Sequence, residues 1–168
     1  MQRRTLLRMG LGGSIALGLA GYAVAQWESP LRQGHFSAVG RTIFTSVGSA
    51  ILDGCLPNEP VARSAALDGM VQRAEVLISG LPGATQDELA ELLSILSVGA
   101  GRVALFGLWS SWQDTPVARM QQHLQMLRTS NIALRQQVYH AFHDIVNGAF
   151  FSDEKNWALL GYGGPLKL

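Results

Sequence analysis

An all-α domain, a small bundle of about five helices, is what this 168-residue chain predicts. Three observations carry that expectation. Apolar residues recur at steps of three and four over long stretches, the spacing that lines one face of a helix. Proline and glycine clusters punctuate those stretches where helices would start and stop. No stretch shows sustained alternation of apolar and polar residues bounded by hairpin signals, as a half-buried strand would.

The elements follow in order. Residues 26–35, polar and carrying Pro30, read as a linker or extended arm, and 36–168 as one helical domain. Phe36, Val39, Ile43, Phe44, Val47, Ile51 and Leu52 place a first helix that stops near Leu56, because Pro57 disfavours helix at the residue before it. Pro60 suits an early helical position, and Val61, Ala65, Met70, Val71, Ala74, Leu77 and Ile78 carry a second helix to about Ser79. After Gly80-Leu81-Pro82-Gly83, Thr85-Gln86-Asp87-Glu88 has the form of a capping box for a third helix with Leu89, Leu92, Leu93 and Leu96. Gly99 and Gly101 interrupt it, as a kink or a close helix contact, and Leu105 to Trp112 is an aromatic stretch, buried or partner-facing. Asp114-Thr115-Pro116 opens a fourth helix through Val117, Met120, Leu124 and Leu127. A fifth carries Ile132, Val138, Tyr139, Phe142, Ile145 and Val146, followed by a short turn and an irregular, glycine-rich tail.

Residues 1–25 have a different character. Arg3, Arg4 and Arg8 surround Thr5-Leu6-Leu7, then Met9 to Ala25 carries no charge and closes on Ala23-Val24-Ala25. A cationic start, an apolar middle and a small-x-small exit describe an export signal. The segment resembles a twin-arginine signal, with Arg3, Arg4, Leu6, Leu7 and Arg8 in the leader motif and Ala23 and Ala25 at the cleavage site. An ordinary secretory signal is the alternative. Seventeen uncharged residues would make a helix of about 26 Å at 1.5 Å per residue, short of a hydrocarbon core of ~30 Å. Cleavage after Ala25 is therefore the expectation, with retention as an anchor the minority case.

Without those three arginines, ten cations face twelve anions, a net charge of −2 where the whole chain has +1. No basic cluster or stripe points to nucleic acid. The single Cys55 leaves no internal disulfide, no haem-attachment motif and no thiolate set for an iron–sulfur cluster. Cys55 itself, before Leu56-Pro57, reads as a structural thiol, since no activating base or cation stands beside it.

Catalytic patterns are sparse. His140, His143 and Asp144 could share a helix face, but a di-iron bundle uses Glu-x-x-His pairs, and the chain contains none. Gly99-Ala100-Gly101-Arg102-Val103-Ala104 fits a dinucleotide fingerprint in letters only, because that motif works between a strand and a helix. No catalytic, cofactor-binding or metal-binding residue is assigned. Tryptophans 27, 109, 112 and 157 are candidates for core packing or for an interface.

The tail, Phe150-Phe151-Ser152-Asp153-Glu154-Lys155-Asn156-Trp157-Ala158-Leu159-Leu160-Gly161-Tyr162-Gly163-Gly164-Pro165-Leu166, resembles the end of the gluconate 2-dehydrogenase small-subunit family. That family ends in an aromatic pair, an acidic turn, Trp and Gly-Tyr-Pro-Gly-Pro; Gly163 stands here for the usual Pro. Lesser likenesses are the helix into Leu56-Pro57, the Leu127-Arg128-Thr129-Ser130 step and the leader. The resemblance implies a non-catalytic subunit that accompanies a large FAD-dependent dehydrogenase of the glucose–methanol–choline type, with a cytochrome c as electron acceptor in many members. FAD would sit in the partner and haem c in a third subunit, with no cofactor in this chain. The small subunit would carry the folded large one through the twin-arginine translocase to the periplasm. Trp109, Trp112, Trp157, Gly161, Tyr162, Gly164 and Pro165 are the partner-binding candidates under that reading. A free-standing periplasmic helical ligand-binding protein is the alternative, and an enzyme with a histidine-based metal site a further one.

Overall fold

A two-residue turn with both backbones at positive φ, Gln33 and Gly34, is the first feature of the folded chain. It joins β1 (Leu31–Arg32) to β2 (His35–Phe36) as a small antiparallel hairpin with Leu31 opposite Phe36. The structure, a computed structural model, describes residues 29–164; the leader, Trp27 and Pro165 lie outside them. The expected arm is therefore, from Ser29 on, part of the domain. Leu31 and Phe36 are buried, and Glu75 accepts hydrogen bonds from the Phe36 amide at 2.9 Å and from Arg41 at 2.7 Å. Strands of two residues are too short to show alternation in sequence. A distant carboxylate holds them in place.

Five long helices follow. Helix α1 (Ala38–Ile51) starts at Ser37, whose hydroxyl accepts from the Gly40 amide. It starts two residues later than the apolar pattern suggested, because Phe36 belongs to the hairpin. Val39, placed on the buried stripe by its spacing, lies in the first turn and is exposed. Helix α2 (Pro60–Ser79) has Glu59 as its N-cap, the carboxylate accepting from the Val61 and Ala62 amides. Those two bonds favour the ionised form and hold the Glu59 pKa below its ordinary value. Val61 also leaves the expected stripe and faces out.

Helix α3 (Gly83–Ser97) begins two residues before Thr85, with Pro82 as N-cap, so the expected capping box is not formed. Thr85 sits inside the first turn, its amide on the Pro82 carbonyl at 2.9 Å. Gln86 takes over the local work, bonding the Leu81 carbonyl at 2.9 Å and the Ser79 carbonyl at 3.3 Å. After Ser97 the chain bends by 98° into a helical turn, Gly99–Gly101, and a π-helical turn, Arg102–Phe106. A Cβ on Gly101 would overlap the Ile95 carbonyl oxygen, so the bend needs glycine there. The dinucleotide-like letters lie in this bend, after a helix rather than a strand.

Helix α4 (Val117–Arg128) starts behind Pro116 as expected, and α5 (Ala133–Phe151) packs chiefly on α2, α1 and α4. A 3-10 segment, Glu154–Leu160, follows α5. The core runs as a file of aromatic rings: Phe36 on Phe44 at 4.4 Å, Phe44 on Phe142 at 5.3 Å, Phe142 on Phe106 at 6.2 Å, Phe106 on Trp112 at 5.1 Å. The domain is all-α apart from its two-stranded hairpin. Among the described residues no single helix is long and apolar enough to cross a membrane.

Candidate functional site

The end of α5 leaves backbone carbonyls without helical partners, and the tail motif supplies donors for them. Asn156 Nδ2 bonds the Phe150 carbonyl at 2.6 Å and Trp157 Nε1 bonds the Phe151 carbonyl at 2.8 Å. Arg73 of α2 covers the Ala149 carbonyl at 2.7 Å and reaches Asp153 at 3.3 Å. Asp153 caps the 3-10 segment by accepting from the Lys155 amide. The Trp157 ring then meets Tyr162 at 5.3 Å, and Gly161 (φ 70°) turns the chain to allow it. Gly164, also at positive φ, passes beside the Trp157 ring. Trp157 is thus a half-buried helix cap, and this much of the tail packs on its own domain.

Beyond Trp157 the tail turns apolar side chains outward. Leu159 and Leu160 are exposed, as is Tyr162, and Trp109 is the most open of all at 83%. Leu159 and Leu160 are not among the sequence candidates. Trp112, a partner-facing candidate, is a core residue instead. It is 5% exposed, stands edge-on to Phe106, and its Nε1 donates to the Leu96 carbonyl at 3.3 Å, closing the C-terminal end of α3. The aromatic stretch splits because Phe106, Leu108 and Trp112 point inward while Trp109 lies between them on the outer side of the loop.

The histidines are dispersed in role. His143 stacks on Tyr139 at 5.4 Å and meets Asp144 at 3.1 Å on the exposed side of α5. Among the described residues no group of three or more His, Cys, Asp or Glu is placed to hold a metal ion. His123 is buried against the turn at Gly107, its Nδ1 without a hydrogen-bond partner. Burial and the nearby Arg119 push its pKa below the ordinary 6.5, against an opposing pull from the Phe106 carbonyl. Cys55 is half-buried in the turn after α1.

An apolar groove of about 710 Å³ lies between α3 and α5, floored by the end of α2. Leu77 and Leu81, Leu89 and Leu92, Val138 and Ile145 line it, and Glu88 and Asp144 stand among the lining residues as its carboxylates. Comparison of the chain with protein-family models, with curated proteins and with solved structures returned no match.

Proposed function

We propose that this chain is the non-catalytic small subunit of an FAD-dependent alcohol or sugar dehydrogenase of the gluconate type. It carries the folded large subunit through twin-arginine export to the periplasm and stabilises it there. The observation that carries this reading is the tail from Phe150 to Leu166, which resembles the end of the small-subunit family over an aromatic pair, an acidic turn, Trp and the Gly-Tyr-x-Gly-Pro close. The twin-arginine-like leader supports it, because a domain without a disulfide can fold before export. So do the outward-facing Trp109, Leu159, Leu160 and Tyr162. Burying one such side chain is worth roughly 1.5–3 kcal/mol, so a few together suffice for a stable complex. FAD belongs to the large subunit, and haem c to a cytochrome partner where one is present; membrane association comes through the complex or an uncleaved leader.

Affinity capture of the tagged chain from its native host, read by mass spectrometry and visible absorbance, tests the proposal. A co-purifying large subunit with flavin bands is the expected result. A colourless monomer with no partner, in cells expressing the chain, overturns it. The groove of about 710 Å³ favours a second reading, a free-standing helical protein that binds an apolar ligand, since its volume is in the ordinary range for such sites. That reading requires a monomer on gel filtration and a thermal shift with the ligand.

A further inference from the structure

The groove and the leader are chemically matched. We infer that in the full-length chain the groove between α3 and α5 is occupied by the chain's own segment Met9–Ala25, held with the preceding Arg3, Arg4 and Arg8 toward Glu88 and Asp144. This goes beyond the subunit reading and does not depend on it.

The groove exists because α3 and α5, its two walls, each pack chiefly on other elements: α3 on β1, α1 and the Gly99–Phe106 turns, α5 on α2, α1 and α4. Its lining is mostly aliphatic, with Thr85 and Gln137 as its neutral polar members, and holds no cation; its ionisable members are both acidic. Leu134 at its margin is half in water, an apolar side chain left without cover. Such a surface favours an apolar occupant with positive charge at one end.

Residues 1–25 have that composition. Leu11, Ile15, Leu19 and Tyr22 fall at helical spacing on one side of an uncharged run, and Arg3, Arg4 and Arg8 precede it. As a helix, Leu11 to Tyr22 would span about 16 Å, the same rise as Leu134 to Ile145 along the α5 wall. The tether also reaches. Ser29 lies beside Gly83, Gln86, Asp87 and Ala90 on the far side of α3 from the groove. Tyr22 to Ser29, seven steps, extends to about 23–25 Å at 3.3–3.6 Å per residue, against about 19 Å for passing a helix diameter of about 10–12 Å and returning about 16 Å along α3. A segment so tethered is present at an effective concentration on the order of millimolar, so a modest intrinsic affinity fills the groove. The consequence is a sheltered leader: the apolar run is kept from water, and an export receptor must compete it off the domain.

Thiol crosslinking within the full chain tests this. In a Cys55→Ala background, Ile15→Cys is paired with Leu92→Cys in the groove, or with the exposed Val61→Cys near the opposite end of α2, and treated with a short bis-maleimide. The expected result is crosslinking within one chain for the groove pair, at least about tenfold faster than for the Val61 pair. Glu88→Lys with Asp144→Lys should slow it about threefold, in line with exposed ion pairs. Equal rates for the two pairs, or crosslinks only between chains, overturn the inference, the latter making a second copy the occupant. Should the cysteine variants fail to fold, hydrogen exchange on the unmodified full chain decides: protected amides across 9–25 support the inference, and coil-like exchange there overturns it. A failed capture of a flavoprotein leaves this result untouched, and a free leader leaves the subunit reading untouched.

Discussion

Glu75 is the residue on which the most distant parts of the fold converge. Its carboxylate receives the Phe36 amide from the hairpin and the Arg41 guanidinium from α1, while its own backbone lies in α2. Glu75→Ala leaves a buried amide without an acceptor, which costs about 1–3 kcal/mol. The expected outcome is a lower urea midpoint together with fast amide exchange at 31–36; a hairpin that stays protected would assign its stability to Leu31 and Phe36 instead. His123 makes a different prediction, about pH. Its folded pKa lies below 6.5, so the unfolded chain takes up the proton first. Its contribution is fully present above 6.5 and is lost as pH falls through the depressed folded value. His123→Leu should therefore flatten the fall in thermal midpoint between about pH 7.5 and about pH 5. An unchanged slope would move the pH dependence to other groups.

Among the elements, the bend after α3 and the cap on α5 are the places where single changes act on whole segments. Gly101→Ala drives a methyl into the Ile95 carbonyl, a backbone atom that cannot swing aside. A loss of about 1–3 kcal/mol follows, as for other overpacked sites, and calorimetry would register it as a lower transition. Trp157→Ala removes the donor to the Phe151 carbonyl and the ring on which Tyr162 rests. About 1 kcal/mol of stability goes with the hydrogen bond, and hydrogen exchange should find the last turn of α5 frayed. Trp157 is for this reason a poor single test of docking, since its loss disturbs the tail itself.

At the scale of the whole molecule, the surface divides into an outward-facing apolar set and an apolar groove. Trp109→Asp with Leu160→Asp alters exposed side chains without touching the core file of rings, so the thermal midpoint should move by less than about 0.5 kcal/mol equivalent. Capture of the flavoprotein partner should nonetheless fall at least about tenfold, the effect of losing roughly 1.4 kcal/mol. Retained capture would place the docking surface elsewhere.

What the sequence determined by itself is what local pattern can encode. The helical class, five long helices, the start of α2 at Pro60 and of α4 after Pro116, and the break at Gly99 and Gly101 all follow from steps of three and four and from residues with restricted or permissive backbones. Tertiary structure alone decided the rest. The hairpin at 31–36 depends on a carboxylate about forty residues away, which no short window contains. Trp109 and Trp112, three apart in one aromatic run, were separated into surface and core by the turn of a loop, not by any difference in hydrophobicity. The tail, read as a partner motif, is first a cap, because the orphan carbonyls of α5 are near it only once the chain has folded back. The groove has no sequence signature at all: a gap between helices is set by what each helix packs on elsewhere, and that is a property of the assembled core.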